Sequence, residues 1–163
     1  MLLVDEAHET LITATNPQPL TPVVVQRVGY LALMLLVDET HETLMMVTNS
    51  MKNDLANFHD PWVLINALTA LANICSASMA RDLADDVAKL ADSYYLYRGG
   101  VTGALAGHVR KKALHACARM VSRAPELASQ FQELPAAAIS DGNHAVVLAS
   151  ALLQSHYFPQ YLA

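Results

Sequence analysis

The chain has 163 residues, of which 53% are hydrophobic and only 15% are charged, and its formal net charge is −5. This length suits one domain or a piece of a larger protein, and fifteen acidic against ten basic residues exclude a generally basic protein that coats nucleic acid. The two cysteines exclude a disulfide scaffold and favour a reducing compartment.

Helix signals dominate the chain, and they begin at regular intervals. Thr21-Pro22 and Asp60-Pro61 each place a capping residue before a proline at the first helical position. Further caps are expected at Asp38 or Thr40 and at Ser76 or Ser78. We predict helices over 22–37, from 38 or 40 to 57, over 61–75, from 76 or 78 to 91, over 108–123, from 125 onward and over 144–157, with a turn at 140–143.

The helices differ in how much of their surface is apolar. The helix after Pro61 has almost no polar face and must be buried on most sides, whereas the next helix is amphipathic. Helix pairs begin near residues 22, 61, 108 and 143, at steps close to those of HEAT and armadillo repeats. We therefore predict an all-α, right-handed α-solenoid of three helix pairs and a terminal helix, with a compact helical bundle as the alternative. Five residues are predicted to lie in its inter-repeat core: Trp62, Ile65, Leu68, Leu71 and Ile74.

Two segments interrupt this regular pattern. Residues 1–11 repeat residues 34–44 with a single difference, Ala7 against Thr40. Because the first copy lacks its partner helix, residues 1–20 are predicted to be a poorly packed duplication. Residues 94–107 hold four of the six glycines, which predicts a loop, an insertion or a disordered bulge between helix pairs. The helical-repeat region is thus predicted to span 21–158, with a tail at 159–163.

The sequence contains no motif that would support catalysis. His41-Glu42 lacks the second histidine of a zinc protease, and no Cys-X-X-Cys pair, phosphate-binding loop or Gly-X-Ser-X-Gly elbow occurs. We therefore predict no enzyme activity and no catalytic, cofactor-binding or metal-binding residue. No signal peptide or apolar run of membrane-spanning length is found, so we expect a cytosolic protein.

The charges are unevenly distributed along the chain. Residues 98–123 carry six basic and no acidic side chains, whereas residues 1–92 are strongly acidic. Consecutive side chains fan around a helix, so the triplet Arg110, Lys111 and Lys112 cannot be fully buried without partners. It is a candidate contact for an anionic surface. The alternative is internal charge balance, for which Asp85, Asp86 and Asp92 are the expected partners.

Several stretches together resemble one family of proteins. They are Arg27-Val28-Gly29-Tyr30-Leu31, Val47 to Leu55, Asn73-Ile74-Cys75-Ser76 with Met79-Ala80-Arg81-Asp82-Leu83, Val109 to Ala113, and Pro125-Glu126-Leu127. Over residues 25–153 the chain is similar to the large adaptins, and to the gamma-adaptins in particular. The duplicate at 1–16, the segment 94–107 and the residues after Leu153 depart from the adaptin pattern.

The resemblance implies a fragment of a clathrin-adaptor trunk built from stacked helix pairs. Such trunks assemble with a second large, a medium and a small subunit, and an Arf-family GTPase and phosphoinositide recruit them to Golgi and endosomal membranes. The implied role is non-enzymatic, in vesicle-mediated protein transport, at the cytoplasmic surface of these membranes and on coated vesicles. No nucleic acid is implied as a partner. The alternative is a generic helical-repeat scaffold that binds a protein or peptide.

Overall fold

A computed structural model describes residues 22–36 and 43–157 of the chain. Within these ranges helices and turns account for all regular structure, and no strand occurs. The α-helices are α1 (Pro22–Leu36), α2 (Leu44–Leu55), α3 (Pro61–Ile74), α4 (Ala77–Ala91), α5 (Ser93–Arg98), α6 (Gly103–Arg123), α7 (Ala128–Phe131), α8 (Leu134–Ala138) and α9 (His144–Tyr157). A 3-10 helix at Pro125–Leu127 precedes α7. The predictions for residues 1–20 and 159–163, and for a cap at Asp38 or Thr40, fall outside the described residues.

Side chains cap three helices. Asp60 accepts a hydrogen bond from the backbone N–H of Trp62 at 3.0 Å, and Pro61 follows at the first helical position. Ser76 accepts one from the N–H of Met79 at 3.3 Å and begins α4. These caps confirm two of the predicted helix starts, because a free backbone donor in the first turn needs an acceptor outside the helix. Asn143 caps α9 in the same way, by accepting from the N–H of Ala145 at 3.0 Å.

The helices are stacked in two layers, which confirms the predicted solenoid. One layer runs in the order α1, α3, α6 and α9, and each of these helices packs against the next. The other layer contains α2 and α4, followed by the short helices between residues 125 and 138. Two polar contacts join α4 to those short helices, Arg81 with Glu126 at 2.7 Å and Gln130 with Asp85 at 2.6 Å. Helices α3, α4 and α6 therefore bury their apolar faces against neighbours in the stack, whereas most apolar side chains of α1 stay exposed.

The core runs between the two layers, and α3 contributes a full stripe to it. The residues of this stripe are almost fully buried and follow one another at spacings of four, three and four: Leu64, Leu68, Leu71 and Cys75. Of the five predicted core residues, Leu68, Leu71 and Ile74 are buried and Ile65 is partly buried against the core.

The prediction for Trp62 was wrong, because its side chain is 55% exposed. Trp62 shares a stripe of α3 with Asn66, Thr69 and Asn73, again at spacings of four, three and four residues. This stripe is the polar edge of the helix. Trp62 is therefore exposed because its position on the helix faces solvent, although its side chain is hydrophobic.

Residues 94–107 do not form the predicted loop. They contain most of α5 and the first turn of α6, which begins at Gly103 instead of near His108. Leu96 and Val101 are buried in the core, and the Val101 N–H donates to the Leu96 carbonyl at 2.9 Å. Gly100 between them has φ +86°, a backbone conformation that residues other than glycine rarely adopt. The glycines permit a tight turn between two helices. The same glycines led to the prediction of a loop over the whole segment.

The partner helix that was predicted to begin at Pro125 is broken into three short pieces. Pro125–Leu127 is a single 3-10 turn, α7 has four residues and α8 has five. Pro135 lies in the first turn of α8, where its missing N–H is harmless, but a continuous helix through this position would lose a hydrogen bond. The position of Pro135 therefore accounts for the break between α7 and α8.

Two helical glycines provide a matched test of the packing between α6 and α9. A Cβ atom at Gly107 would lie 2.2 Å from Asn143 Nδ2, and Asn143 is held in place because it caps α9. We expect Gly107→Ala to destabilise the fold by about 1–3 kcal/mol, the usual cost of overpacking. A Cβ atom at Gly29 in α1 would meet nothing within 4 Å. Gly29→Ala should therefore stabilise the fold, by up to about 1 kcal/mol. Urea unfolding would measure both, and equal effects would show that the α6–α9 contact is loose.

Candidate functional site

The three predicted basic residues lie in the middle of α6 and have different environments. Arg110 is only 8% exposed and forms an ion pair with Asp141, which precedes α9. Its Nε also donates to the Ala91 carbonyl at 3.1 Å. Because its guanidinium is buried and paired, Arg110 is unavailable to an outside anion. Only Lys111 and Lys112, both partly exposed, remain candidates for an anionic contact.

The carboxylate that pairs with Arg110 was not among those expected. Asp85 accepts a hydrogen bond from Gln130, and Asp86 lies 3.4 Å from Lys89 on the same helix. Asp92 acts on Arg110 through its charge: burial lowers the pKa of Arg110, and the charge of Asp92 opposes that decrease. An arginine remains protonated even so, and the ion pair with Asp141 therefore joins the middle of α6 to the start of α9.

A positive potential surrounds the two remaining lysines. Burial lowers the pKa of Lys112, and the charge of the adjacent Lys111 lowers it further. The pKa of His115, one turn later, is lowered by burial and then by both lysines. Among the described residues, no carboxylate forms an ion pair with Lys111 or Lys112. An incoming anion would therefore lower the electrostatic free energy of this surface.

Lys112 also forms one wall of a cleft between α1, α3 and α6. We call it the Trp62 cleft and define it by Arg27, Leu31, Met34, Trp62, Asn66 and Lys112. Its volume is about 290 Å³. It combines two cationic groups with an exposed indole ring, which is a pattern typical of binding surfaces. The signal for it in the sequence is the Trp62–Asn66–Thr69 stripe of α3, which was overlooked because the surrounding helix is so apolar.

A second polar cluster, at Tyr30, joins α1 to α2. The Tyr30 hydroxyl donates to Asp54 Oδ2 at 2.5 Å, and Gln26 Nε2 donates to the same oxygen at 2.7 Å. Burial raises the pKa of Tyr30, and the hydrogen bond and charge of Asp54 raise it further. Both donors are thus bound to Asp54, and the cluster holds the first helix pair together, although Gln26 Oε1 is buried without a hydrogen-bond partner among the described residues.

The two cysteines are buried in the core. Burial raises the pKa of the Cys75 thiol to about 11, and it raises the pKa of the Cys117 thiol still more. Since the thiolate is the reactive form, we expect neither cysteine to react with a thiol reagent at pH 8 in the native protein. Both should react at once in denaturant. Rapid modification of either thiol without denaturant would contradict this packing.

The described residues contain no group of three or more His, Cys, Asp or Glu side chains that could hold a metal ion. None of the helices in the described ranges has both the length and the apolar content needed to cross a bilayer. The chemical features that the described residues bring together here are positive charge, an exposed aromatic ring and a cleft.

Comparison with known proteins identifies the family. Residues 5–157 match the family model described as the Adaptin N terminal region. The chain belongs to the adaptin family. The AP-1 complex subunit gamma-1 of Arabidopsis thaliana is 41% identical over 128 residues, which are 78% of this chain and 13% of the relative. The gamma-1 subunit of Schizosaccharomyces pombe is 34% identical over 125 residues, 77% of this chain and 13% of the relative. The Homo sapiens AP-1 complex subunit gamma-like 2 is 38% identical over 128 residues, 78% of this chain and 15% of the relative.

These relatives confirm the resemblance to gamma-adaptins. The chain spans about an eighth of the length of the gamma subunits that it matches. The family is one of helical repeats, in agreement with the two stacked layers of helices. The matched region includes α6, and therefore both lysines and the Trp62 cleft belong to the adaptin part of the chain.

Proposed function

We propose that this chain serves as part of the large-subunit trunk of a clathrin adaptor, in vesicle-mediated protein transport between Golgi and endosomes. The observation that carries the proposal is the match to the adaptin N-terminal region over residues 5–157. The role is one of assembly, without catalysis. The protein would act at the cytoplasmic face of Golgi and endosomal membranes.

Exposed apolar side chains on two helices support assembly with other subunits. Leu35 and Leu36 at the end of α1 are 84% and 80% exposed, and Met45 and Met46 at the start of α2 are also exposed. Large apolar side chains exposed next to one another on a helix are a feature of protein interfaces. A second large, a medium and a small adaptor subunit are the proposed partners.

Co-purification tests the assembly. The tagged full chain would be co-expressed with AP-1 beta, medium and small subunits, and we expect at least one of them to be retained. Leu35→Glu with Leu36→Glu should reduce this retention, while Leu148→Glu, at a leucine of α9 that is 71% exposed, should not. If no subunit is retained by a folded chain, the adaptor role is wrong and the generic helical-repeat scaffold takes its place.

We further propose that Lys111 and Lys112 attract an anionic membrane once the chain is recruited, in keeping with an Arf-family GTPase and phosphoinositide as recruiting partners. Each lysine near an anionic bilayer contributes about 1 kcal/mol of attraction. Lys111→Glu with Lys112→Glu should therefore reduce sedimentation with phosphatidylserine vesicles at low salt. The control, Lys52→Glu with Lys89→Glu, makes the same change of charge on α2 and α4. Equal sedimentation of both double variants would remove the proposed membrane contact.

A further inference from the structure

The Trp62 cleft has cationic groups on its two opposite walls. Arg27 projects from α1 and Lys112 from α6, and α3 lies between these two helices in the stack. Among the described residues that line the cleft there is no carboxylate. An occupant with two separated negative charges would match this arrangement, because each charge would meet a cation of its own.

The floor of the cleft is apolar. Leu31 is 47% exposed, the Trp62 indole is 55% exposed, and Met34 and Ile65 pack with their other sides against the core. Between the cations there is thus room for a bulky apolar side chain, which would cover the indole ring. Asn66, half-buried on the same stripe, has no side-chain hydrogen bond to the described residues and offers an amide to a peptide backbone.

We propose that the Trp62 cleft binds a partner peptide in which acidic residues flank one bulky apolar residue. The charges on the two walls select the carboxylates, and the apolar floor selects the residue between them. A free phosphate ion would use the cations alone, and it would leave the indole in water. A flat bilayer would meet the helix surface without filling the cleft. A peptide uses both features, so it is the occupant that the cleft fits.

The chain carries its own probe for this binding, because Trp62 is its single tryptophan. The full chain would be titrated with the acetylated, amidated peptide Glu-Glu-Phe-Glu-Glu while tryptophan emission is recorded with excitation at long wavelength. We expect a saturable blue shift, since the peptide phenylalanine would remove water from the indole. The shift should weaken as salt is added, because the charges at the cleft mouth are screened.

The neutral peptide Gln-Gln-Phe-Gln-Gln separates charge from stacking. It has the same length and the same aromatic ring, and we expect it to bind about tenfold more weakly. Equal binding of the two peptides would overturn the charge recognition. Inorganic phosphate or phosphatidylserine vesicles that reproduced the same saturable shift would overturn the assignment to a peptide.

Charge reversal at each wall tests the geometry. Arg27→Glu and Lys112→Glu should each weaken binding of the acidic peptide about tenfold. Lys52→Glu makes the same change of charge outside the cleft, and it should leave the affinity unchanged. Arg27 is exposed, so its variant keeps the test valid even if Lys112→Glu were to fold poorly. Equal loss in all three variants would mean that only net charge matters and would refute the site. The titration contains the chain and the peptide without any other adaptor subunit. Its outcome therefore does not depend on adaptor assembly.

Discussion

Replacing Asp141 by asparagine is expected to destabilise the protein by about 3 kcal/mol, because the buried Arg110 guanidinium would lose its counter-charge. The asparagine keeps the side-chain oxygen that accepts from the Asn143 N–H at 2.6 Å, so the turn before α9 is preserved. The change therefore removes the charge and the oxygen that pairs with Arg110, while it leaves the turn in place. Urea denaturation at neutral pH, followed by circular dichroism, measures the loss of unfolding free energy.

The ion pair between Asp86 and Lys89 provides the control. It is more exposed and joins neighbouring turns of one helix, so Asp86→Asn should cost about 0.5 kcal/mol or less. Removing both charges, with Arg110→Met and Asp141→Asn, should recover most of the loss, because no uncompensated charge remains and the oxygen that accepts from the Asn143 N–H is kept. A double variant as unstable as Asp141→Asn would show that packing around the pair, and not its charge, is what matters.

Leu68→Ala is expected to reduce the free energy of unfolding by about 2–5 kcal/mol, since the side chain is fully buried in the middle of α3. The helix packs against α1, α2 and α6, so neighbours on several sides limit how far the space can collapse. The loss of unfolding free energy is larger when the cavity left by the leucine stays open. A loss near 5 kcal/mol would therefore mean that the stack is rigid around Leu68.

Leu148→Ala on α9 makes the same chemical change at a leucine that is 71% exposed. Its effect should stay within about 0.5 kcal/mol. Equal costs for the two leucines would contradict the assignment of α3 to the centre of the stack.

The helices with the clearest local signals were predicted almost to the residue. For α3 and α4 the capping residue and the apolar spacing point to the same start, and α9 begins directly after the turn predicted at 140–143, so local chemistry decides the outcome. The segment 94–107 was missed because glycine indicates a turn without saying how short the turn is. Leu96 and Val101, on either side of the glycines, were the signal that this segment enters the core.

The binding features were less predictable. The basic triplet was found from its charge, but its split into a buried Arg110 and two accessible lysines depends on which carboxylate comes near. Asp141 follows Arg110 by thirty-one residues and reaches it only because α9 packs on α6. The Trp62 cleft joins three helices that are far apart in the sequence, and their side-chain positions follow from tertiary packing alone.

The order in which the helices pack has a consequence for synthesis on the ribosome. Each helix of the α1–α3–α6–α9 layer docks on the previous helix of that layer, which the ribosome has already made, so no helix must wait for the far end of the described chain to emerge. Contacts of such short range form quickly compared with the addition of amino acids to the chain. The stack can therefore grow from its N-terminal end while translation proceeds. When α9 emerges, Asp141 reaches an Arg110 that α6 already holds in position, and that contact completes the described part of the stack.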